Sequence, residues 1–471
     1  MHRRNLLLAI AVFAIWGCTE RRITELPARD TKTENFVYLS EGTFMLNGEE
    51  WFPLMLNYKT EVRNSVVFPV SYYGEGATFV ENFRKISGWG FNTLRICMDV
   101  MSDDVDTTVL FPSLEKMMDT AQMCGFKVML LIKPPLDEQR KIFTAGLLKH
   151  FAENPTLWAY DFMNEPLYFD PAETRDKIEA YNIVVDWREM MENHAPHQLF
   201  TIAFSEPIEV FEWDPSILPV DFVEMHTYHP LRVVSEMCWY GRFVGKPWMV
   251  GETGLPADND SVPYSWQAVF MNETFQCAID NGAIGYGWWE FHDCLDGTNF
   301  EAWYTGLLDD VGVEKPASQI VKRLKSLKRH NSHRPVNYFN ILGYRNLAVE
   351  GEIIDEKTGK GIEGAVIRGW NEDWSVGMNT FSDENGRFSL VSNDVCTHFE
   401  ISAPCYSKVK FDRHVYYRDV SDLPDKDLEY QQIGYAGFLQ SDSSILSLNP
   451  EKFKISPQKF DIGRIELKRI K

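Results

Sequence analysis

The sequence predicts an α/β protein: a (β/α)8 TIM barrel followed by a small all-β sandwich domain. Two observations carry the barrel prediction. Apolar, β-rich runs recur eight times between residues 52 and 288, and amphipathic stretches follow most of them. Each run is continuously apolar, as expected of strands that are buried on both faces of a parallel sheet. Eight such units fit a closed barrel better than an open, doubly wound sheet, and no G-x-G-x-x-G follows the first run to favour that alternative.

The predicted strands and helices can be placed along the chain. The strands cover residues 52–56, 91–96, 127–132, 157–163, 199–203, 222–225, 248–251 and 284–288. The helices include residues 77–87, 113–124, 172–194 and 266–281. Gly90, Gly125 and Gly282 lie just past three of these helices, where a left-handed cap residue is favoured. The connection from Ser205 to Asp221 carries only a weak helix signal.

Length and composition describe a globular protein of two or three domains. The chain has 471 residues, of which 44% are hydrophobic and 24% charged, a balance that argues against disorder and against a multi-span membrane protein. Its 47 basic and 68 acidic residues give a net charge of −21. Such a surface repels phosphate backbones, so nucleic acid is not an expected partner.

The N-terminus is typical of an export signal. His2, Arg3 and Arg4 precede an apolar run from Leu6 to Trp16, which is too short to span a bilayer because a spanning helix needs about 20 residues. A short, uncleaved membrane anchor is the alternative.

The ending Ile15-Trp16-Gly17-Cys18 resembles the lipobox of bacterial lipoproteins. This resemblance implies a signal peptide over residues 1–18 and a lipidated Cys18 at the start of the mature chain. The protein would then be exported and lipid-anchored to the bacterial outer membrane, on its periplasmic or cell-surface face. Residues 19–35, rich in charge and poor in apolar side chains, are predicted to form a flexible polar linker.

The pattern changes after Lys328. Residues 348–412 alternate apolar and polar positions between turn sequences such as Asp383-Glu384-Asn385-Gly386, which predicts a small antiparallel sandwich. The stretch 349–388 resembles the carboxypeptidase-regulatory-like β-sandwich, an accessory module. We therefore divide the chain into a barrel over residues 36–334 and a sandwich with a C-terminal tail over residues 345–471. The resemblance implies a structural or spacing role for the sandwich, which we expect to be dispensable for chemistry.

Seven cysteines remain once Cys18 is set aside, and none lies in a C-x-x-C pair. Buried free thiols are the expected state. Cys396 and Cys405 are close enough in sequence to pair across a hairpin, and an exported location would permit a disulfide between them.

Two glutamates stand where predicted strands meet their loops, in Met163-Asn164-Glu165-Pro166 and Gly251-Glu252-Thr253-Gly254. The chemistry of a (β/α)8 barrel lies at the carboxyl ends of its strands. Either carboxylate alone is typical of a solvated or ion-paired side chain. Two that face one pocket are what a retaining glycosidase needs, since one protonates the leaving oxygen while the other attacks the anomeric carbon.

The residues around both glutamates resemble those of clan A glycoside hydrolases, and within the clan the family five cellulase and mannanase group. The segments are LWAYDFMNEP at 157–166 and KPWMVGETG at 246–254. The resemblance implies a retaining β-glycoside hydrolase with Glu165 as acid/base and Glu252 as nucleophile. Its substrate would be a β-linked polysaccharide or oligosaccharide of the mannan or glucan type, and it would use no cofactor and no metal.

Five further residues match the substrate-binding positions of the family. Arg95 resembles the arginine that keeps the nucleophile ionised, although a barrel-lining salt bridge is the plain alternative. Asn164 would donate to the sugar 2-hydroxyl. His226 and Tyr228 resemble the family's His-x-Tyr pair, in which the tyrosine bonds the nucleophile and the histidine orients the acid/base region. Trp289 resembles the tryptophan that forms the floor of the sugar subsite.

Lys133 stands where family five members often carry a histidine, which weakens the exact family assignment. A zinc site at His226 and His229 is disfavoured because it lacks a clear third ligand. The alternatives in other classes are a non-catalytic glycan-binding surface lipoprotein on a barrel scaffold, in which the carboxylates would usually be lost, and a purely structural surface protein.

Overall fold

The architecture was derived from a computed structural model, which describes residues 23, 28–70, 77–98, 105–170, 175–205, 207–228, 230–294, 304–332, 334, 347–375, 377–392, 395–413 and 458–470. A small N-terminal sheet consists of β1 (Val37–Ser40), β2 (Thr43–Leu46) and β3 (Glu49–Glu50). Phe44 of this sheet packs edge-on against Trp158 and Phe222, with ring centroids 5.1 and 5.0 Å away. Trp158 and Phe222 lie at the amino ends of barrel strands, so this sheet closes the bottom of the barrel.

The barrel strands confirm the predicted (β/α)8 fold. They are β4 (Leu54–Arg63), which forms a hairpin with β5 (Val66–Pro69), then β6 (Thr93–Met98), β7 (Lys127–Leu131), β8 (Leu157–Asn164), β9 (Leu199–Phe204), β10 (Val223–His226), β11 (Trp248–Glu252) and β12 (Tyr286–Trp288). Each of the eight barrel strands pairs in parallel with the next, and β12 pairs with β4 through Tyr286 and Leu54. The sheet is therefore closed. All eight strands lie where the apolar runs predicted them.

The helices of the barrel are α1 (Phe79–Trp89), α2 (Thr107–Met123), α3 (Glu138–Phe151), the short α4 (Pro166–Phe169), α5 (Lys177–His194), α6 (Leu231–Gly241), α7 (Tyr264–Asp280) and α8 (Pro316–Leu324). The three glycines predicted as helix caps all have positive φ. Helix α2 begins earlier than predicted, because the side chain of Asp106 caps it by accepting from the N–H of Thr108. The connection between β9 and β10 holds one 3-10 turn, Pro207–Phe211, in keeping with its weak helix signal.

The C-terminal region is a β-sandwich, as predicted. Its strands are β13 (Leu347–Asp355), β14 (Val366–Trp370), β15 (Gly377–Phe381), β16 (Arg387–Ser392), β17 (His398–Ser402), β18 (Val409–Asp412) and β19 (Gln458–Leu467), arranged as the sheets β16-β13-β19 and β15-β14-β17-β18. Strand β19 pairs in parallel with β13. The sandwich is therefore not purely antiparallel, because a strand from the C-terminal segment, about which the sequence says little, completes one sheet.

The sandwich packs directly on the barrel. The ammonium of Lys177, buried at the start of α5, bonds to the carboxylate of Asp214 at 2.8 Å. Its other two partners are carbonyl oxygens of the sandwich, those of Ala403 at 3.2 Å and Tyr406 at 2.6 Å. A buried ammonium is stable only when all its N–H groups are hydrogen-bonded. The sandwich therefore supplies two of the hydrogen-bond acceptors that this barrel lysine needs.

The end of the predicted linker is docked rather than free. Arg29, whose side chain is only 3% exposed, bonds to Asp221 at 2.8 Å and to the carbonyl of Ala195 at 3.1 Å. Thr33 bonds to the ring of His197 at 3.0 Å. Asp221 is buried and needs a cationic partner, which Arg29 provides. The prediction of a flexible linker through residue 35 is therefore wrong for residues 29–35.

Within the described part of the chain, no helix combines the length and apolar character needed to cross a bilayer. The signal peptide over residues 1–18, with Cys18, lies outside the described residues.

The seven cysteines in the described ranges are free thiols. Cys396 is buried in the sandwich core, whereas the Sγ atom of Cys405 lies 3.4 Å from the Ser216 hydroxyl of the barrel. The two side chains therefore have separate surroundings, and the possible disulfide between them is not formed.

Candidate active site

The two predicted catalytic glutamates lie together at the carboxyl end of the barrel. Glu252 is the last residue of β11, and Glu165 directly follows β8. Glu165 has a φ of 44°, in the left-handed region that residues other than glycine rarely adopt. Its carbonyl accepts from the N–H groups of Tyr168 and Phe169, so the strand turns into α4 at this residue. Backbone strain of this kind clusters at functional sites.

The separation of the two carboxylates is short. One oxygen of Glu165, one oxygen of Glu252 and a ring nitrogen of His226 lie within 4.8 Å of one another. Retaining glycosidases place their carboxyl groups about 5–5.5 Å apart, and inverting enzymes place them about 6.5–9.5 Å apart. The spacing is nearer to the retaining arrangement than to the inverting one.

Arg95, fully buried on β6, bonds to side chains of β8 and β11 and lies 3.4 Å from the carboxylate of Glu224 on β10. Its guanidinium donates to Glu252 at 2.5 Å, to Asp161 at 2.6 Å and to the Asn164 side-chain oxygen at 2.8 Å. Burial alone would lower the pKa of Arg95, but the charges of Glu224, Asp161 and Glu252 outweigh it and raise that pKa well above its usual value. Arg95 is thus a fixed cation behind Glu252.

Tyr228 and His226 hold the two glutamates from a neighbouring strand. The Tyr228 hydroxyl donates to the second oxygen of Glu252 at 2.5 Å, and burial together with the charge of Glu252 raises the pKa of Tyr228. The Nδ1 atom of His226 lies 2.8 Å from Glu165 and 3.5 Å from Glu252. Burial opposes protonation of His226, but Glu252 and the hydrogen bonds to Glu165 and Glu224 raise its pKa to about 10. The ring of His226 therefore lies between the two catalytic carboxyl groups.

Asn164 and Trp289 also lie at this site. The side-chain oxygen of Asn164 accepts from Arg95, which leaves its NH2 group as the donor for a ligand. Trp289 directly follows β12, and the peptide bond from Trp289 to Glu290 is cis. The Lys59 ammonium lies 5.1 Å from the ring centroid of Trp289. Trp288 is fully buried, with its indole N–H on the carbonyl of Thr305. The two tryptophans face opposite ways, as alternation along a strand predicts.

A second layer of carboxylates was missed by the sequence interpretation. Asp161 and Glu224 are fully buried, and both lie against Arg95, with Glu224 at 3.4 Å. Burial raises the pKa of Asp161 to about 7, against the charge of Arg95. A Cβ atom at Gly251 would overlap the Glu224 side chain, so only glycine fits beside it. The sequence did contain a signal for both residues, because each is a single acidic residue within an otherwise apolar predicted strand.

Glu209 was also missed, because it lies in the connection with the weak helix signal. One oxygen of this buried carboxyl accepts from the N–H and the hydroxyl of Ser205, at 3.0 and 2.8 Å, and from the N–H of Leu167 at 3.4 Å. Burial raises the pKa of Glu209 to about 8. The carboxyl thereby ties the turn that carries Glu165 to the loop after β9.

Glu165, His226 and Glu252 are also a possible set of metal ligands by distance. In this structure protein donors already hold these groups: the two oxygens of Glu252 accept from Arg95 and Tyr228, and Glu165 is bonded to His226.

Comparisons with known proteins identify similar folds. No protein-family model matches the chain, and no curated protein sequence matches it. The exo-β-1,4-mannosidase Op5Man5 from Opitutaceae bacterium strain TAV5 is 13% identical, with a TM-score of 0.51 over 85% of this chain and 99% of that one. A GH5_18 protein from Streptomyces cattleya in complex with GlcNAc is 16% identical, with a TM-score of 0.47 over 65% of this chain and 85% of that one. These are glycoside hydrolases, and at such low identity the likeness to the first shows a shared fold.

Proposed function

We propose that the chain is a retaining β-glycoside hydrolase that acts on a β-linked polysaccharide or oligosaccharide of the mannan or glucan type. The observation that carries the proposal is the pair Glu165 and Glu252. Their oxygens lie within 4.8 Å at the carboxyl end of the barrel, with Arg95 and Tyr228 on one carboxylate and His226 on the other.

In the first step Glu252 attacks the anomeric carbon while Glu165 donates its proton to the glycosidic oxygen. The carbon–oxygen bond to the leaving group breaks, the bond to Glu252 forms, and the aglycone departs as an alcohol. Arg95 and Tyr228 donate to the two oxygens of Glu252, so the carboxylate is held in place for attack.

In the second step Glu165 accepts a proton from water, which attacks the anomeric carbon and releases Glu252. Asn164 would donate its NH2 group to the sugar 2-hydroxyl, a contact that strengthens at the transition state. Trp289 would lie under the apolar face of the pyranose ring.

Leu167, Tyr168 and Phe169 directly follow the acid/base in α4, and all three are exposed. They would offer an apolar surface to a sugar or aromatic leaving group bound beside Glu165.

A panel of aryl β-mannosides and β-glucosides tests the proposal, with the anomeric form of the first product followed by NMR. Release of the aryl alcohol with retention at the anomeric carbon supports a retaining hydrolase. Binding of the matching oligosaccharides without any turnover would favour the second candidate, a non-catalytic glycan-binding lipoprotein.

The substitution Glu165→Ala should separate substrates by their leaving groups. We expect kcat/KM to fall about 10²–10⁴-fold on natural oligosaccharides, whose leaving oxygen needs a proton, and much less on dinitrophenyl glycosides, which need little protonation. Glu138→Ala, at an exposed position on α3, is the matched control and should leave both substrates unaffected. Equal losses on both substrate types for Glu165→Ala would contradict the acid/base assignment.

We also propose that Cys18 is lipidated and holds the enzyme at the outer membrane, where released sugars stay close to the cell. The proposal depends on the basic start, the apolar run and the pair Gly17-Cys18. In a Gram-negative host, Cys18→Ser should move the protein out of the membrane fraction or leave its precursor uncleaved, as seen by fractionation and mass spectrometry. Unchanged processing and fractionation would leave an ordinary secretory signal.

A further inference from the structure

The sandwich presents a tryptophan whose side chain is half exposed. Trp374 is 50% exposed and lies in the turn between β14 and β15. Its φ is 63°, in the left-handed region where a bulky side chain is a true outlier. Such conformations persist where the surrounding structure enforces them, and they cluster at binding sites.

Several contacts fix this indole in place. The backbone N–H of Trp374 donates to the carbonyl of Asn371 at 3.1 Å, which closes the turn that carries the indole. The ring stacks on the imidazole of His398, with centroids 4.2 Å apart and planes at 11°. His398 is itself held by Asp412 at 2.7 Å and by the carbonyl of Glu372 at 3.2 Å. One face of the indole is therefore covered by His398, and among the described residues half of the side chain stays exposed to solvent.

The neighbouring Trp370 shows what a structural tryptophan looks like in the same sheet. A Cβ atom on Gly377 would lie 2.8 Å from its ring, so Trp370 covers a strand that has no side chain of its own there. Trp374 stacks on His398 and lies 6.1 Å from the ring of Trp370, yet it stays half exposed. Val366, at the other end of β14, belongs to the core shared with the barrel. Trp370 therefore lies about 13 Å along the strand from that contact.

The groups around the ring indicate the class of ligand. The negative face of an indole attracts the C–H groups of a pyranose, and carboxylates such as Asp373 and Asp412 at the rim can accept from sugar hydroxyls. A single exposed indole is far smaller than a protein interface, which buries about 800 Å² per partner. The net charge of −21 disfavours polyanions.

We propose that Trp374, supported by His398, is a second and non-catalytic binding site for a neutral, β-linked glycan chain. The choice of β-linked chains rests on the proposed function of the barrel, whereas the site itself does not. Its use would be to keep a polymeric substrate near the cleft, because a second contact on the same chain raises the effective concentration of the first.

The test measures binding of the full chain to soluble β-1,4-glucomannan and to mixed-linkage β-glucan by affinity gel electrophoresis. All proteins carry Glu252→Gln, so that hydrolysis does not erode the gel. Trp374→Gly removes the ring and relieves the left-handed strain, so the variant should fold. We expect it to bind the retarding polymer about tenfold more weakly, a change of about 1.4 kcal/mol. Phe68→Ala, an exposed aromatic position on the barrel hairpin, is the matched control and should bind as the parent does.

In the active background, Trp374→Gly should leave kcat/KM on aryl glycosides unchanged and raise KM on the polymer. Equal retardation of Trp374→Gly and its parent, or no retardation of the parent on either polymer, would overturn the second site. Because binding is measured without turnover, a chain that binds through Trp374 but hydrolyses nothing would contradict the proposed function alone.

Discussion

Replacing the proposed nucleophile should abolish turnover. For Glu252→Ala we expect kcat on aryl β-glycosides to fall by on the order of 10⁴-fold or more, since the substitution removes the carboxylate that would form the covalent intermediate. Azide should restore part of the rate with a dinitrophenyl substrate, because the small anion can enter the space left by the side chain. The product should be a glycosyl azide of inverted configuration, and NMR of the product is the measurement.

The isosteric Glu252→Gln provides the control for this rescue. The amide retains the shape and the contact with Tyr228 but cannot attack, and it fills the space that azide needs. We therefore expect Glu252→Gln to be equally inactive and insensitive to azide. A Glu252→Ala enzyme with more than a few per cent of the parent rate, or an azide product of retained configuration, would remove Glu252 from this role.

The barrel and the residues lining its cleft could be predicted from the sequence because both depend on local pattern. Continuous apolar runs are typical of buried parallel strands, and a residue at the end of such a run is carried to one end of the barrel. This is why Glu165 and Glu252, 87 residues apart in the chain, could be predicted to meet. The contacts of Arg95 and Tyr228 with Glu252 were expected only from the family resemblance, since the strand of Arg95 is not adjacent to that of Glu252.

What the sequence could not provide is the choice of partner between distant segments. Arg29 looks like one more charge in a polar stretch, yet it bonds to Asp221, 192 residues away. In the sequence Glu209 has the character of an exposed acidic loop residue, yet in the fold its carboxylate accepts from the N–H of Leu167 in the turn after Glu165. In both cases burial selects the partner, and burial is a property of the assembled fold rather than of a short window of sequence.

The contact between sandwich and barrel leads to the prediction of largest effect on stability. Phe381 of β15 packs its ring against Trp239 and Tyr240 of α6, with centroids 5.4 and 5.9 Å away, and Arg334 donates to its carbonyl at 2.8 Å. All three rings are buried. A chain that ends at Arg334 would expose this apolar surface of α6 to water. The expectation that the sandwich is dispensable therefore holds, at most, for the chemistry.

Phe381→Ala in the full chain isolates that contribution. We expect the free energy of unfolding to fall by about 3–5 kcal/mol, the usual range for removing a buried phenylalanine ring, and the barrel itself to melt at a lower temperature. Turnover on aryl glycosides at low temperature should be unchanged, because the interface lies on α6 and not at the carboxyl ends of the strands.

Phe399→Ala, equally buried but inside the sandwich core, is the matched control: it should weaken the sandwich without acting on α6 directly. Denaturant unfolding followed by tryptophan fluorescence, which reports largely on the barrel, measures both variants. If Phe381→Ala left the barrel transition where it was, the contact of Phe381 with α6 would not stabilise the barrel.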